Sequence, residues 1–229
     1  MISDFNQLEK LFIEIDQQLT NDVPLYVIGG AVLLYQGLKP ATKDIDVILS
    51  DEKTYADFIS SLTSLQFQRV DPTGVYKKMD VSAIFEREDH RIDVFLKTVC
   101  KRISLTNGMK QRAKPLKQLS HLHVFLCANE DIFIFKSMTE REGDIEDCIA
   151  LAQRGLEWNS VLNELKTQIK HSGEDVWITW IGERLDILQE RGINIPIMNE
   201  VNKVRDEYFK QLEHKFLKRK ATKTIKTKN

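Results

Sequence analysis

The sequence predicts a mixed α/β domain, a small mixed sheet flanked by helices, followed by a helical bundle. Two observations carry this expectation. Up to about residue 125, short apolar runs of strand character alternate with amphipathic stretches, whereas from Asn129 onward only helical periodicity remains. The chain has 229 residues, 42% apolar and 29% charged, so it can build a sizeable core without disulfide or metal staples.

Taken in order, Phe5, Leu8, Leu11, Phe12, Ile15 and Leu19 recur at three- and four-residue spacings and predict a helix over 4–19. Asn21-Asp22-Val23-Pro24 ends it. Leu25 to Ile28 reads as a strand closed by Gly29-Gly30, and a short helix follows from Ala31 to Tyr35. Ile45 to Leu49 is a second strand, and Asp51 to Leu65 a helix with Tyr55, Phe58, Ile59 and Leu62 on one face. Val81 to Phe85 and Arg91 to Leu96 form neighbouring strands across the polar turn Arg87-Glu88-Asp89-His90, and Ile103 to Leu105 adds another. Helices then occupy 131–140, 144–153, 158–171, 174–190 and 199–218. The expected domains are 1–125, a helical part over 126–218 packed on it, and a basic disordered tail over 219–229.

Composition narrows the functional classes. No apolar run approaches the ~20 residues that span a bilayer, and the N-terminus lacks a signal-peptide pattern. Cys100, Cys127 and Cys148 are scattered, which fits free thiols in a reducing cytoplasm and speaks against a zinc site. The net charge of −1 hides an asymmetry. Of the 33 Lys and Arg residues, seven fall between His214 and Asn229 with no acid among them, so the body carries about eight excess negative charges. Such a body is a poor general nucleic-acid platform.

Chemistry concentrates in three carboxylates. Asp44 and Asp46 lie on one side of a strand whose other side carries Ile45 and Val47. Two acids so close repel one another, and a hard cation such as Mg²⁺ or Mn²⁺ relieves that repulsion. Asp93, within Arg91-Ile92-Asp93-Val94-Phe95, completes the cluster if its strand neighbours the first. Such a cluster can hold two ions roughly 3.5–4 Å apart for in-line phosphoryl chemistry. Gly29 and Gly30, ahead of a helix, allow backbone N–H groups to approach phosphate oxygens. Lys136 follows four apolar residues, so its stem is buried. Its ammonium can meet a triphosphate or pair with Asp144 or Asp147. His121 and His123 lack acids or cysteines at metal-ligand spacing, and Trp158, Trp177 and Trp180 fit helix packing.

With these residues in view, the chain resembles the DNA polymerase-beta-like nucleotidyltransferase superfamily. Gly29-Gly30, Asp44-Ile45-Asp46-Val47 and Ile92-Asp93-Val94 match that family's signature, over roughly residues 23 to 97. The resemblance implies a mixed sheet flanked by helices, two-metal catalysis, and transfer of a nucleoside monophosphate from a nucleoside triphosphate, ATP among the candidates, to a hydroxyl acceptor. Asp44 and Asp46 would hold the metals; Asp93 would ligate the catalytic one and help deprotonate the acceptor. Further along, Arg141, Asp144 and Asp147 resemble the Arg-x-Lys-Asp-x-x-Asp pattern of toxin-antitoxin and abortive-infection nucleotidyltransferases, with Gly143 where lysine is usual. That likeness leaves Gly29, Gly30, Lys136, Arg141 and Asp144 as candidate nucleotide contacts and an antitoxin as a candidate partner. The acceptor, whether protein, RNA or small molecule, stays open. An antibiotic-modifying nucleotidyltransferase and a non-catalytic nucleotide-binding partner in a defence complex are the alternatives. Enzymes that add CCA to transfer RNA are discounted, because Val32-Leu33-Leu34 stands where they carry Arg-Asp.

Overall fold

A computed structural model of the chain describes residues 1–72, 81–100, 103–139, 141–172 and 177–226. Its residues fall into two compact units, 1–156 and 157–229. In the first unit the helices are α1 (Phe5–Asp16), α2 (Gly29–Tyr35), α3 (Glu52–Ser64), α4 (Asn107–Arg112), α5 (Asn129–Ser137) and α6 (Glu142–Arg154). Its strands are β1 (Val23–Ile28), β2 (Ile45–Leu49), β3 (Gln68–Val70), β4 (Ala83–Arg87), β5 (His90–Leu96), β6 (Thr98–Val99), β7 (Ile103–Ser104), β8 (Lys114–Gln118) and β9 (Leu122–Leu126).

Seven strands form one sheet in the order β3-β4-β5-β2-β1-β9-β8, and β6 and β7 make a separate ribbon. The sheet is mixed: β2 runs parallel to β5 and β1 parallel to β9, while the remaining neighbours are antiparallel. Apolar side chains dominate both faces of the inner strands, with Val23, Leu25, Val27, Ile45, Ile48, Leu49, Val94, Leu122 and Val124 fully buried. Helices α1, α2 and α3 pack against this sheet. Asp4 caps α1 by accepting from the Asn6 N–H, and Asp51 caps α3 by accepting from the Thr54 N–H.

The turn between β4 and β5 is short, with Glu88 in the left-handed region at φ 52°. Five elements, β3, β6, β8, β9 and α4, escape the periodicity reading. β3 is a three-residue edge strand, and α4 is a six-residue helix. β8 carries Lys114, Pro115 and Lys117 at the opposite edge, the place in a sheet where a proline is tolerated, and its register on β9 shifts between Pro115 and Lys117.

The division between units falls later than residue 125. Helices α5 and α6 pack on each other, and α5 packs on α2, so both belong to the first unit. The second unit holds α7 (Trp158–Ser172), α8 (Trp177–Glu190) and α9 (Met198–Lys226). Its buried apolar residues include Val161, Leu165, Ile181, Leu185, Leu188 and Val201. Gly182 lies under Arg205, whose guanidinium reaches Asp186 at 2.9 Å. Trp180 is 41% exposed and so contributes less to packing than expected. α9 runs to Lys226, through most of the segment expected as a disordered tail; residues 227–229 lie outside the described residues. Among the described residues no helix is long and apolar enough to cross a membrane. Among the described residues no disulfide joins Cys100, Cys127 and Cys148.

Candidate active site

The three acids converge because of strand register. β2 and β5 lie side by side and parallel, and Asp46 is the direct partner of Asp93. Paired residues on adjacent strands share a face about 4.8 Å apart, so the two carboxylates leave the sheet together. Asp44 stands one residue before β2 begins. It is oriented through its own carbonyl, which accepts the Thr42 hydroxyl at 3.0 Å. Ile2 in turn holds Thr42 by a two-way backbone pairing, N–H to O, at 2.8 Å each way.

Gly29 and Gly30 have a role that spacing alone did not disclose. A Cβ on Gly29 would stand 2.0 Å from Asp46 Oδ2, and its φ of +67° is one that other residues rarely adopt. A Cβ on Gly30 would stand 2.5 Å from Thr42 Oγ1. The side of each glycine where a Cβ would stand is therefore taken by the acid-bearing segment. Glycine here lets the turn into α2 lie directly against Asp46.

Electrostatics follow from crowding. Burial pushes the Asp46 carboxyl well above the ordinary range, and the charges of Asp44 and Asp93 push it further; Lys136 and Arg141 pull the other way. Asp93 is fully buried, and burial raises it too, against the hydrogen bonds and charge of Arg91. The Arg91 guanidinium donates to both Asp93 oxygens, at 2.8 and 3.2 Å, and lies 3.6 Å from Glu86. Among the described residues no three His, Cys, Asp or Glu side chains are gathered around one point as a ready metal cage. The donor set nonetheless suits a hard divalent cation: register-paired carboxylates whose proton affinity burial and neighbouring acids raise, on a rigid sheet and beside a glycine cradle.

Helices α5 and α6 supply the cations. Lys136, at the end of α5, is buried and donates to Asp144 at 2.6 Å and to Asp147 at 2.9 Å. Arg141 precedes α6 and reaches the same Asp144 at 2.6 and 3.2 Å, and the Thr139 hydroxyl also donates to it. Burial would raise Asp144, but Lys136 and the three donors outweigh it and leave the carboxyl low; for Lys136 burial is likewise overcome by Asp144 and Asp147. Lys39, in the loop after α2, binds Asp147 at 2.8 Å. Sequence reasoning missed Lys39, because a loop lysine beside a proline has no periodicity to mark it. His121 and His123 lie 3.4 and 3.9 Å from Asp22, outside this constellation.

An acid cluster on paired strands beside a glycine turn is what phosphoryl-transfer chemistry requires, and the chain is a nucleotidyltransferase. Residues 6–175 match the family described as "Nucleotidyltransferase of unknown function (DUF6036)", and the chain belongs to that family. No curated protein sequence matches it. Among solved structures, the crystal structure of ANT(2")-Ia in complex with adenylyl-2"-tobramycin is similar, with a TM-score of 0.48 and 11% identity, over 72% of this chain and 97% of that one. So distant a likeness carries nothing about chemistry.

Proposed function

We propose that the protein moves a nucleoside monophosphate from a nucleoside triphosphate to a hydroxyl acceptor, at a site made by Asp44, Asp46 and Asp93. The observation that carries this reading is the register pairing of Asp46 with Asp93 beside Asp44. The reading assigns Mg²⁺ or Mn²⁺ to these carboxylates, where a divalent ion supplies Lewis-acid stabilisation of the phosphoryl charge. Asp44 and Asp46 serve the triphosphate side. Asp93, released from Arg91, takes the proton of the acceptor hydroxyl. The acceptor oxygen then bonds to the α-phosphorus, the bond from that phosphorus to the bridging oxygen breaks, and pyrophosphate leaves with the electron pair. Gly29 and Gly30 keep the acids seated, and Lys136, Arg141 and Asp144 form the charged wall toward the nucleotide.

The test is label transfer from each α-labelled triphosphate into cell lysate, purified RNA and small polyhydroxylated acceptors. Wild-type protein should label one class, and Asp93→Ala should transfer nothing while still binding nucleotide. Nucleotide binding without transfer to any acceptor would support a binding module instead. The Arg141-Asp144-Asp147 pattern extends the proposal to a toxin-like enzyme of the cytoplasm whose protein partner is an antitoxin. Induced expression should then arrest bacterial growth, and Asp46→Asn should relieve the arrest.

A further inference from the structure

We infer that Lys39, rather than Lys136, is the lysine that meets the triphosphate, and that Lys136 is a positioning residue; this rests on the proposed nucleotidyl transfer at the same site. Three cations, Lys39, Lys136 and Arg141, converge on two acids, Asp144 and Asp147. Lys39 and Lys136 even share one oxygen, Asp147 Oδ2, at 2.8 and 2.9 Å. Two ammonium groups on one oxygen repel each other.

Between the two lysines that share Asp147, exposure decides which can leave. The Lys136 side chain is 10% exposed and bridges two acids that are themselves buried, so withdrawing it would break two buried ion pairs at once, although Asp144 would keep Arg141 and Asp147 would keep Lys39. The Lys39 side chain is 33% exposed and, among the described residues, its ammonium is paired with Asp147 alone. When it turns outward, Asp147 keeps Lys136. Lys39 also stands in the loop that leads through Thr42 to Asp44, on the chain segment that carries the acids. A compact ammonium on a flexible stem suits the β- and γ-phosphates, which leave together as pyrophosphate. Lys136 then acts through Asp144 and Asp147, holding α6 to α5 and keeping Arg141 in place.

The experiment compares Lys39→Met and Lys136→Met in the full chain by calorimetry, using the magnesium complexes of ATP, GTP, CTP and UTP and of the matching monophosphates. Lys39→Met should bind the preferred triphosphate ten- to a hundredfold more weakly and the monophosphate within about twofold of wild type, with its melting midpoint nearly unchanged. Lys39→Arg should recover most of the triphosphate affinity. Lys136→Met should lower the melting midpoint by several degrees. Wild-type protein that binds no triphosphate overturns the proposed function and this assignment with it. Wild-type binding that Lys39→Met leaves undiminished overturns the assignment of Lys39 alone, as does an equal loss for monophosphate and triphosphate.

Discussion

At the scale of single residues, the candidate site depends on contacts that tolerate little change. Gly29→Ala places a methyl group against the Asp46 carboxylate in a backbone region that alanine disfavours. It should cost about 1–3 kcal/mol in urea unfolding and most of the transfer activity. Arg91→Met leaves Asp93 buried without its guanidinium and should destabilise the fold by about 2–3 kcal/mol. Millimolar Mg²⁺ should recover much of that loss in a thermal melt, because the cation takes over the neutralising role. A deficit indifferent to metal would remove Asp93 from the ligand set. Asp44, Asp46 and Asp93 were legible because acids set in apolar strands stand out from their neighbours. The Arg91-Asp93 pairing was legible in principle, since residues two apart on a strand share a face. The grip of Lys136 on Asp144 and Asp147 was one of two open readings. Lys39 was out of reach, since its partner lies 108 residues further along the chain.

Among the elements, the join between α1 and the β8–β9 turn illustrates how a helix end is secured. Asp16 accepts the backbone N–H groups of His121 and Leu122, each at 2.8 Å. Burial raises this carboxyl, but the N–H donors of His121, Leu122 and Ser120 outweigh it and hold it below the ordinary value. A carboxyl lowered by folding stabilises the native state above its unfolded pKa, and that contribution is lost as the pH falls through the folded value. Asp16→Asn should therefore flatten the decline in stability between about pH 5 and pH 2 while leaving neutral-pH activity intact. An acid limb of unchanged steepness in a pH-dependent urea titration would contradict this. Helices with a clear apolar stripe, and strands that are apolar throughout, could be read from sequence. β3, β8 and α4 could not, because edge strands and single-turn helices take their stability from tertiary neighbours rather than from their own pattern.

For the whole molecule, divalent metal should raise the wild-type melting midpoint, and Asp46→Asn should blunt the response, since ligand that binds only the folded state stabilises by mass action. An unchanged midpoint even with nucleotide present would argue against a cation site. Truncation after Lys218 removes five of the seven tail cations and should leave both the midpoint and nucleotide affinity nearly unaltered. The division of the chain into units was the least legible feature, because α5 and α6 read as helical in sequence yet belong to the same compact unit as the sheet that carries the acids. That sheet places β2 in fourth position among seven strands. Fluctuations that peel away an edge strand therefore stop well short of Asp46. In hydrogen–deuterium exchange, the amides of Val47 and Val94 should exchange only when the first unit opens completely, whereas those of β3 and β8 exchange by local fraying. The protein can thus loosen at its margins while the distance between its central acids stays unaltered.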